Sequence, residues 1–462
     1  MKEFDLIVLG SGSGLDVASG FTSRGKEVAV VEPGPLGGTC LNRGCIPSKM
    51  LIHHADVADT IHSSEKFDID AEINSINFSK IVREVNETVS EDSKNIEKGL
   101  KSSDKHTLYR TEGKFVDDKV IEVNKAPATG EEVDEKITAD KIVVAAGSRP
   151  LIPPIDGLRD DVFMTSKEAL SLEEQPEELV IIGGGYIAVE LAHFFGALGT
   201  DITIIEANDR LVAREDREVG EKFTELFREK HDVNLGLKAV KVEDLDTGVK
   251  VVAEDRDGNK ESFAGDELLV AAGRRPNTDK VNAEEVGLET DENGFIKTDE
   301  KMRTSIDGVY ALGDIADNFM FKHSANYEAE IVFKNLLTND THKAVFDAMP
   351  HAIFSSPQVS GVGKTEQELE DSDQEYVTGK YEYRKTGMGL ALKEKDGFVK
   401  VIADPETEDI LGCHIIGPHA SSIIHEVLVA MREGRGKVDE IRDTIHIHPA
   451  LNEAVDRAFN QI

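Results

Sequence analysis

The sequence predicts an α/β protein in which two similar α/β units are followed by a C-terminal α+β region. Its 462 residues are enough for about three domains. An apolar strand, a glycine-rich turn, a helix and a second strand occur in this order in residues 4–32 and again in residues 179–206. From about Lys343 the pattern changes to alternating strands with an apolar-faced helix beside them.

The first unit begins with an apolar strand at residues 4–9 that ends in a glycine-rich turn, followed by a helix to about residue 23 and a strand at 27–31. A glycine turn at a helix N-terminus accepts a pyrophosphate, and an acid about 20 residues later binds a ribose hydroxyl. The predicted dinucleotide-binding residues are Gly10, Gly12, Gly14 and Glu32. Because Leu15 stands where this fingerprint has its third glycine, we expect the helix and strand to lie slightly further apart.

The second unit repeats the arrangement, with strands at 179–182 and 201–205 and a run of three glycines between them. Two such units predict two bound dinucleotides, and we interpret them as two Rossmann-like domains. The residues predicted for the second nucleotide are Gly183, Gly185, Tyr186, Ile187 and Glu206.

The stretch 37–49, GGTCLNRGCIPSK, carries two cysteines ahead of a helix that we expect to reach about residue 62. A helix N-terminus lowers a thiol pKa because its free N–H groups and its dipole favour the thiolate. We therefore predict that Cys40 and Cys45 cycle between dithiol and disulfide. The alternatives are a Cys pair in a turn and half of a metal site. Cys413 is the only other cysteine, so a zinc site with two Cys pairs is excluded and we predict no metal.

Between the units we expect a helix at 78–100 and then a β-rich stretch with a turn at 127–130. Two apolar strands, at 142–146 and 268–272, are each followed by a glycine and a proline, first Gly147 with Pro150 and later Gly273 with Pro276. Such stops are natural domain crossings. The C-terminal region contains the expected strands 352–361, 398–403 and 410–416 and a helix at 421–432.

The chain has 89 acidic and 53 basic residues and a net charge of -36, which argues against nucleic acids and anionic membranes as partners. The acid is spread along the chain. This is typical of a protein kept soluble in high salt, with an ordinary acidic cytosolic enzyme as the alternative. No segment approaches the ~20 apolar residues of a membrane span, and the N-terminus is interpreted as a strand rather than a signal peptide. Three cysteines suit a reducing cytoplasm, where we expect the protein.

GGTCLNRGCIPSK resembles, nearly residue for residue, the active-site segment of the flavin-linked pyridine nucleotide–disulfide oxidoreductases. The resemblance covers essentially the whole chain. It implies a FAD-binding domain at 1–150 and 275–342, an NAD(P)-binding domain at 151–274 and a dimerisation domain at 343–462. It adds Gly273 to the second nucleotide site. The FAD contacts that it implies are Gly10, Gly12, Gly14, Glu32, Gly38, Thr39, Lys49, Gly147 and Asp314.

In this family electrons pass from a nicotinamide through the flavin to the cysteine disulfide, which reduces a substrate disulfide by exchange. The resemblance implies that Cys45 lies against the flavin and that Cys40 attacks the substrate. It also pairs Lys49 with Glu190 beside the flavin, and a buried lysine needs such a partner.

A histidine suits the proton transfers of this exchange at neutral pH, and a carboxylate fixes its tautomer. His448 and Glu453 match the family's His-Pro-x-x-x-Glu element, although Ala450 replaces the usual threonine. The resemblance implies a homodimer in which this pair completes the partner's active site. We assign no catalytic role to His446 or His323.

The segments 322–329 and 420–424 and the HPALNE end resemble mycothione reductases most, which predicts a small disulfide substrate such as mycothione or bis-γ-glutamylcystine. Dihydrolipoyl dehydrogenase is the main alternative. The first-helix arginine of glutathione reductases and the C-terminal vicinal cysteines of mercuric reductases have no counterpart here. The Cys pair argues against an NAD(P)H oxidase and against a non-catalytic nucleotide-binding subunit. Glu206 favours NADH because a carboxylate repels the 2′-phosphate of NADPH, while Arg210 and Arg214 leave NADPH open.

Overall fold

The computed structural model describes residues 1–123, 135–316, 318–338 and 341–462, and the predicted turn at 127–130 lies outside them. The chain divides into two compact units. The first consists of Met1–Ser48, Val82–Leu151 and Gly273–Val345, and the second of Lys49–Ile81, Ile152–Ala272 and Phe346–Ile462. Within the described ranges no helix is long and apolar enough to cross a membrane.

A five-stranded parallel sheet forms the centre of the first unit. Its strands, in spatial order, are Val309–Ala311, Ile142–Val144, Leu6–Leu9, Val28–Val31 and His106–Tyr109. The middle strands are apolar throughout and buried, as in parallel sheets that are covered on both faces. The predicted strand 4–9 is interrupted at Asp5, whose carboxylate accepts hydrogen bonds from the N–H of Glu27 (2.8 Å) and from Lys26 Nζ (3.0 Å). Phe4 consequently belongs to a different sheet.

Two smaller sheets complete the β-structure described for the first unit. One contains, in spatial order, the strands Lys2–Phe4, Glu135–Ala139, Val120–Val123 and Gly113–Asp117. The other is an antiparallel pair, Ser148–Pro150 with Arg274–Pro276. The two chain segments that were predicted to be domain crossings therefore meet in one ladder.

The helices with residues in the first unit are Gly14–Thr22, Gly38–Arg43, Cys45–His62, Phe78–Lys101 and Lys322–Thr338, with short 3-10 turns at Glu284–Val286 and Gly313–Ile315. The helix predicted after the cysteines is confirmed, and it begins at Cys45 itself. Pro47 is tolerated there because the first turn of a helix has no N–H partner to lose. The predicted helix at 78–100 is also confirmed.

In the second unit, the predicted second glycine turn follows a strand of a four-stranded parallel sheet. Its strands, in spatial order, are Asp232–Leu235, Asp201–Glu206, Glu178–Ile182 and Glu267–Val270. A three-stranded antiparallel sheet shares its buried core and contains the strands Lys238–Asp244, Val249–Glu254 and Lys260–Gly265. The accompanying helices are Ser166–Ala169, Tyr186–Ala197 and Arg217–Arg228.

The rest of the second unit is built on a five-stranded antiparallel sheet. In spatial order its strands are His351–Ile353, Val359–Gly363, Ile410–Ile416, Phe398–Ala403 and Val377–Glu382. The predicted strand 352–361 is split in two because Pro357, between its halves, has no N–H to offer a ladder. The helices of this part are Glu366–Glu370, Gly387–Ala391, Ala420–Arg432, Val438–Arg442 and Glu453–Phe459, with 3-10 turns at Tyr383–Lys385 and, earlier in the chain, at Ser64–Phe67.

The two glycine turns are built in the same way. Gly10 and Gly183 have φ angles of 103° and 113°, and a β-carbon on them would lie 2.2 Å from the Ala145 carbonyl oxygen and 2.5 Å from that of Ala271. Only glycine fits both constraints. At Gly14 in the first helix, a β-carbon would lie 2.7 Å from Val8 Cγ1 of the preceding strand, so a larger side chain would clash there. The predicted α/β fold class is confirmed.

Candidate active site

Cys40 and Cys45 lie on either side of a helix start in the first unit. Cys40 belongs to the short helix Gly38–Arg43 and is half-buried, whereas Cys45 is the exposed first residue of the helix Cys45–His62. A hydrogen bond with the Cys45 thiol lowers the pKa of Cys40 to about 7. The charge of Lys322 and the N–H groups of Cys45 and Ile46 act in the same direction, against burial. Cys40 therefore carries a large thiolate fraction at neutral pH, the form that attacks disulfides.

Lys322 is a member of this site that the sequence did not reveal. Its ammonium donates a hydrogen bond to the Ser13 hydroxyl (2.7 Å), which in turn donates to Asn326 Oδ1 (2.9 Å). Ser13 directly precedes the first dinucleotide helix, Gly14–Thr22. The contact joins residues 309 positions apart, so no local pattern could have indicated it.

The residues predicted to hold FAD on the first unit are linked to one another by direct contacts. Glu32 accepts hydrogen bonds from the Ser11 N–H (3.0 Å) and hydroxyl (2.8 Å), which ties it to the glycine turn. Gly38, next to Thr39, lies so close to Gly12 that a β-carbon there would be 2.7 Å from the Gly12 α-carbon. This contact sets the cysteine segment against the turn.

The later segments that are predicted to hold FAD also contact each other. Asp314 accepts a hydrogen bond of 2.6 Å from the Ser148 hydroxyl, and Arg274 Nε lies 3.7 Å from the Asp314 carboxylate. Among the described residues, no atom comes within 4 Å of a β-carbon built on Gly12 or Gly147. The open backbone at both glycines leaves room for a cofactor to approach, and it fits FAD at this site.

The second nucleotide site of the prediction centres on Glu206. Its Oε1 accepts hydrogen bonds from the Asn208 N–H (2.7 Å) and Nδ2 (2.6 Å), which fixes the carboxylate at the end of its strand. Gly185, before Tyr186 and Ile187, is open in the described structure, as Gly12 is in the first unit. Gly183 lies at the turn itself, whereas Gly273 is counted in the first unit.

The two arginines after Glu206 differ in their surroundings. Arg210 Nη2 donates to the Ala213 carbonyl oxygen (3.0 Å) and Nη1 lies 3.4 Å from Asp209. Arg214 is exposed. Arg210 is therefore partly engaged by its own loop.

Lys49 and Glu190, predicted to pair directly, instead meet at a third residue of the second unit. Lys49 Nζ lies 4.3 Å from the centre of the Phe354 ring, and Glu190 Oε1 accepts a hydrogen bond of 2.9 Å from the Phe354 N–H. Within the described ranges no ion pair shorter than 4.0 Å joins the two side chains. Burial raises the pKa of Glu190 to about 7, while the Phe354 N–H and Lys49 act in the opposite direction. A cation over an aromatic face is attracted by the ring quadrupole. The Phe354 ring therefore attracts Lys49, while the Phe354 N–H binds Glu190.

His448 and Glu453 form the predicted pair. His448 Nδ1 lies 2.9 Å from Glu453 Oε1, and Glu453 Oε2 accepts the Ala450 N–H at 3.2 Å. The hydrogen bond from His448 lowers the pKa of Glu453. Because the carboxylate accepts a hydrogen bond from Nδ1–H, Nε2 is left to exchange protons, and the His448 side chain is 75% exposed.

Two further histidines and the third cysteine lie outside the predicted catalytic pairs. His446 has a carboxylate neighbour after all, with its Nε2 3.6 Å from Glu426. The His323 ring stacks on Phe321 at 5.2 Å. Cys413 is fully buried in the C-terminal sheet, and burial raises the pKa of its thiol, so it is not a reactive thiol.

Family models match both parts of the chain. Residues 4–329 match the pyridine nucleotide-disulphide oxidoreductase family, and residues 349–459 match its dimerisation domain. The chain therefore belongs to the pyridine nucleotide-disulphide oxidoreductase family, as the Cys40–Cys45 segment predicted. It is an enzyme of the class I flavoprotein disulfide oxidoreductases, which depend on FAD and NAD(P)H.

Similar proteins of known name cover the chain almost end to end. Dihydrolipoyl dehydrogenase 2 of Haloarcula marismortui is 34% identical over 458 residues, covering 98% of this chain and 95% of its own length. Mycothione reductase of Mycobacterium tuberculosis is 33% identical over 464 residues, covering 99% of each chain. Among solved structures, the HOCl-induced flavoprotein disulfide reductase RclA of Escherichia coli, as a Cu(II) complex, has a TM-score of 0.87. Its sequence identity is 26%, and the match covers 100% of this chain and 99% of that one.

The pKa of Cys40 yields a direct prediction. In the reduced protein, the rate of Cys40 alkylation by iodoacetamide should rise with pH around a midpoint of about 7, because only the thiolate reacts. Cys45→Ala removes the largest cause of the low pKa and should move the midpoint to higher pH. Peptide mass spectrometry across a pH series measures both. Cys413→Ser is the matched control and should leave the midpoint in place; an unchanged midpoint in Cys45→Ala would contradict the assigned cause.

Proposed function

We propose that this protein is a FAD-dependent NAD(P)H:disulfide oxidoreductase that reduces a low-molecular-weight disulfide through a redox-active Cys40–Cys45 pair. The observation that carries the proposal is the pairing of a half-buried, low-pKa Cys40 with an exposed Cys45 at the helix start. This is the arrangement that thiol–disulfide exchange needs, because one thiol is ready to attack and the other is ready to close the ring.

The proposed reaction of the cysteines with the substrate is a double exchange. The Cys40 thiolate attacks one sulfur of the substrate disulfide, so that a Cys40–substrate bond forms and the substrate S–S bond breaks. Cys45 then attacks the Cys40 sulfur, closes the Cys40–Cys45 bond and releases the second product thiol. Two electrons pass to the substrate, and the two product thiols receive the proton of Cys45 and the proton that Cys40 gave up when its thiolate formed. When bound, FAD would carry two electrons between the nicotinamide nucleotide and this pair.

We assign the proton transfers of this exchange to His448. Glu453 accepts a hydrogen bond from Nδ1–H, so the imidazole can give a proton from Nε2 to a departing thiolate and take one from a reacting thiol. The neutral and charged forms of an imidazole are both accessible near neutral pH, which suits a group that must act in both directions.

The nucleotide contacts follow the same proposal. Gly10, Gly12, Gly14, Glu32, Gly38, Thr39, Lys49, Gly147 and Asp314 would hold FAD, and Gly183, Gly185, Tyr186, Ile187, Glu206 and Gly273 would hold the nicotinamide nucleotide. We propose NADH rather than NADPH. The Glu206 carboxylate is fixed by Asn208 at the strand end, and it would repel a 2′-phosphate.

We further propose a homodimer in which His448 of one subunit serves the cysteines of its partner. The dimerisation domain supports assembly, and His448 directly follows Ile447, which is 78% exposed, while Ile445 two positions earlier is 97% exposed. Apolar side chains beside a proton-transfer residue are expected to be covered by a partner surface.

For the substrate we propose the mycothione or bis-γ-glutamylcystine type, supported by the likeness to mycothione reductase and by the segment that begins at Lys322. Dihydrolipoyl dehydrogenase is the second candidate, because relatives with that name match the chain equally well. We place the protein in a reducing cytoplasm, since the proposed cycle needs its thiols kept available.

A mixed dimer tests the shared site. Cys45→Ala and His448→Ala homodimers should each lose disulfide reduction but keep FAD and diaphorase activity toward artificial acceptors. If the site is shared, a heterodimer of the two has one site with both defects and one with neither. We expect roughly half of the wild-type activity per dimer, the share of one intact site of two. Activity is measured on the tag-purified heterodimer with normal FAD content, and a heterodimer as inactive as its parents would rule out sharing.

A substrate panel tests the substrate class. We expect a higher kcat/KM for bis-γ-glutamylcystine or mycothione than for lipoamide or glutathione disulfide, with NADH and NADPH each tried as the reductant. A preference for lipoamide of about tenfold or more, equivalent to ~1.4 kcal/mol in the barrier, would identify the protein as a dihydrolipoyl dehydrogenase instead.

Glu206→Arg tests the nucleotide. The substitution removes a repelling carboxylate and adds a partner for the 2′-phosphate, so preference should shift toward NADPH by about 1–3 kcal/mol, the value of a charged hydrogen bond. The ratio of kcat/KM for the two nucleotides measures the shift. Asp209→Arg, an exposed charge reversal on the same loop, is the control and should shift the ratio much less. Equal shifts in the two variants would show that Glu206 does not face the ribose.

A further inference from the structure

A chain of three polar side chains runs through the second unit from Tyr186 to His351. The Tyr186 hydroxyl donates a hydrogen bond to Glu215 Oε1, and His351 Nε2 donates to Glu215 Oε2 at 2.8 Å. The rings of Tyr186 and His351 lie nearly parallel, with an angle of 18° and centres 6.3 Å apart. Glu215 therefore holds a tyrosine with one oxygen and a histidine with the other.

This chain is buried and charged. The Glu215 side chain has no exposed surface, and that of His351 is 17% exposed. Burial alone would raise the pKa of Glu215, but the charge and hydrogen bond of His351 keep it below its usual value; the same pair raises the pKa of His351 against the effect of burial. A buried ion pair is costly unless further hydrogen bonds satisfy it, and the Tyr186 hydroxyl supplies one. The three side chains thus form one hydrogen-bonded network in which each depends on the others.

The position of Tyr186 connects these three side chains with the second glycine turn. Tyr186 is the first residue of the helix Tyr186–Ala197, and it directly follows Gly185, whose α-carbon is open in the described structure. Glu215 lies just ahead of the helix Arg217–Arg228, and His351 begins the strand His351–Ile353. Two residues from distant parts of the chain thus fix the ring that stands at the start of the nucleotide-binding helix.

We propose that Glu215 and His351 are positioning residues that hold the Tyr186 side chain ready for the nicotinamide nucleotide and thereby set the affinity for it. The inference rests on the proposed function, because it takes the second glycine turn as the nucleotide site. Its physical basis is preorganisation: a ring that is already fixed loses no rotational freedom when the nucleotide binds beside it. Glu215 and His351 act through Tyr186 and contribute no proton or electron to the reaction.

Nucleotide binding to the FAD-loaded protein tests this inference. Tyr186→Phe, Glu215→Gln and His351→Gln should each weaken the binding of NADH by a similar factor, about two- to tenfold, the cost of fixing one side chain. KM for NADH with an artificial acceptor should rise with the dissociation constant while kcat stays nearly unchanged. The Tyr186→Phe/Glu215→Gln double variant should bind no worse than the weaker single variant, because residues of one network are not additive.

Asp216→Asn is the matched control. Asp216 is the next residue and is equally buried, but its carboxylate pairs with Lys400 (2.9 Å) and accepts a hydrogen bond from the Glu366 N–H (3.1 Å). It should lose stability without a change in NADH affinity. Tyr186→Phe removes a single hydroxyl, so the test stands even if Glu215→Gln does not fold. Unchanged affinity in Tyr186→Phe, or additive losses in the double variant, would overturn the inference. A wild-type protein that binds neither NADH nor NADPH would reject the proposed function itself.

Discussion

The contact on which the site depends is that of the Cys40 sulfur with the start of the next helix. Cys45, at the beginning of that helix, supplies both its thiol and its N–H to Cys40, so the residue that lowers the pKa of Cys40 is also its redox partner in the proposed reaction. Two other features of the first unit support this arrangement. Gly38 packs onto Gly12 of the glycine turn, and Lys322, from a much later segment of the chain, adds positive charge near Cys40. The glycine turn that is proposed to hold FAD and the segment that contains the cysteine pair therefore pack directly against each other.

The two glycine turns have the same backbone geometry, but different side chains hold the acid that follows each of them. Gly10 and Gly183 face carbonyl oxygens of neighbouring strands in matching positions, and an acid ends the following strand in each unit. The first acid is held by Ser11 and the second by Asn208. In the second unit the C-terminal sheet takes part as well: Phe354 reaches Glu190 and His351 reaches Glu215. The first strand of that sheet and the residue after it therefore reach the helix Tyr186–Ala197 twice, directly at Glu190 and through Glu215 at Tyr186, and both lie in the region that matches the dimerisation domain.

The sequence predicted what depends on neighbouring residues. The glycine turns, the helix after the cysteines and the His448–Glu453 pair all rest on short spacings, and each was placed correctly. It missed contacts between distant positions, such as Ser13 with Lys322 and Glu190 with Phe354, because nothing local indicates them. Two strands were predicted too long for a physical reason that periodicity does not show: Asp5 bonds to the backbone of the next strand, and Pro357 cannot join a ladder. The direct Lys49–Glu190 pair was replaced by a shared aromatic residue.

The central claim is that the electrons of the nucleotide reach the substrate through Cys40 and Cys45. It is tested most directly by counting alkylated cysteines in the FAD-loaded protein under anaerobic conditions, before and after one equivalent of NADH per subunit. We expect NADH to make Cys40 and Cys45 reactive together, while buried Cys413 stays unlabelled in both samples. Labelling of Cys40 and Cys45 that is the same with and without nucleotide, in protein that still oxidises NADH, would contradict it.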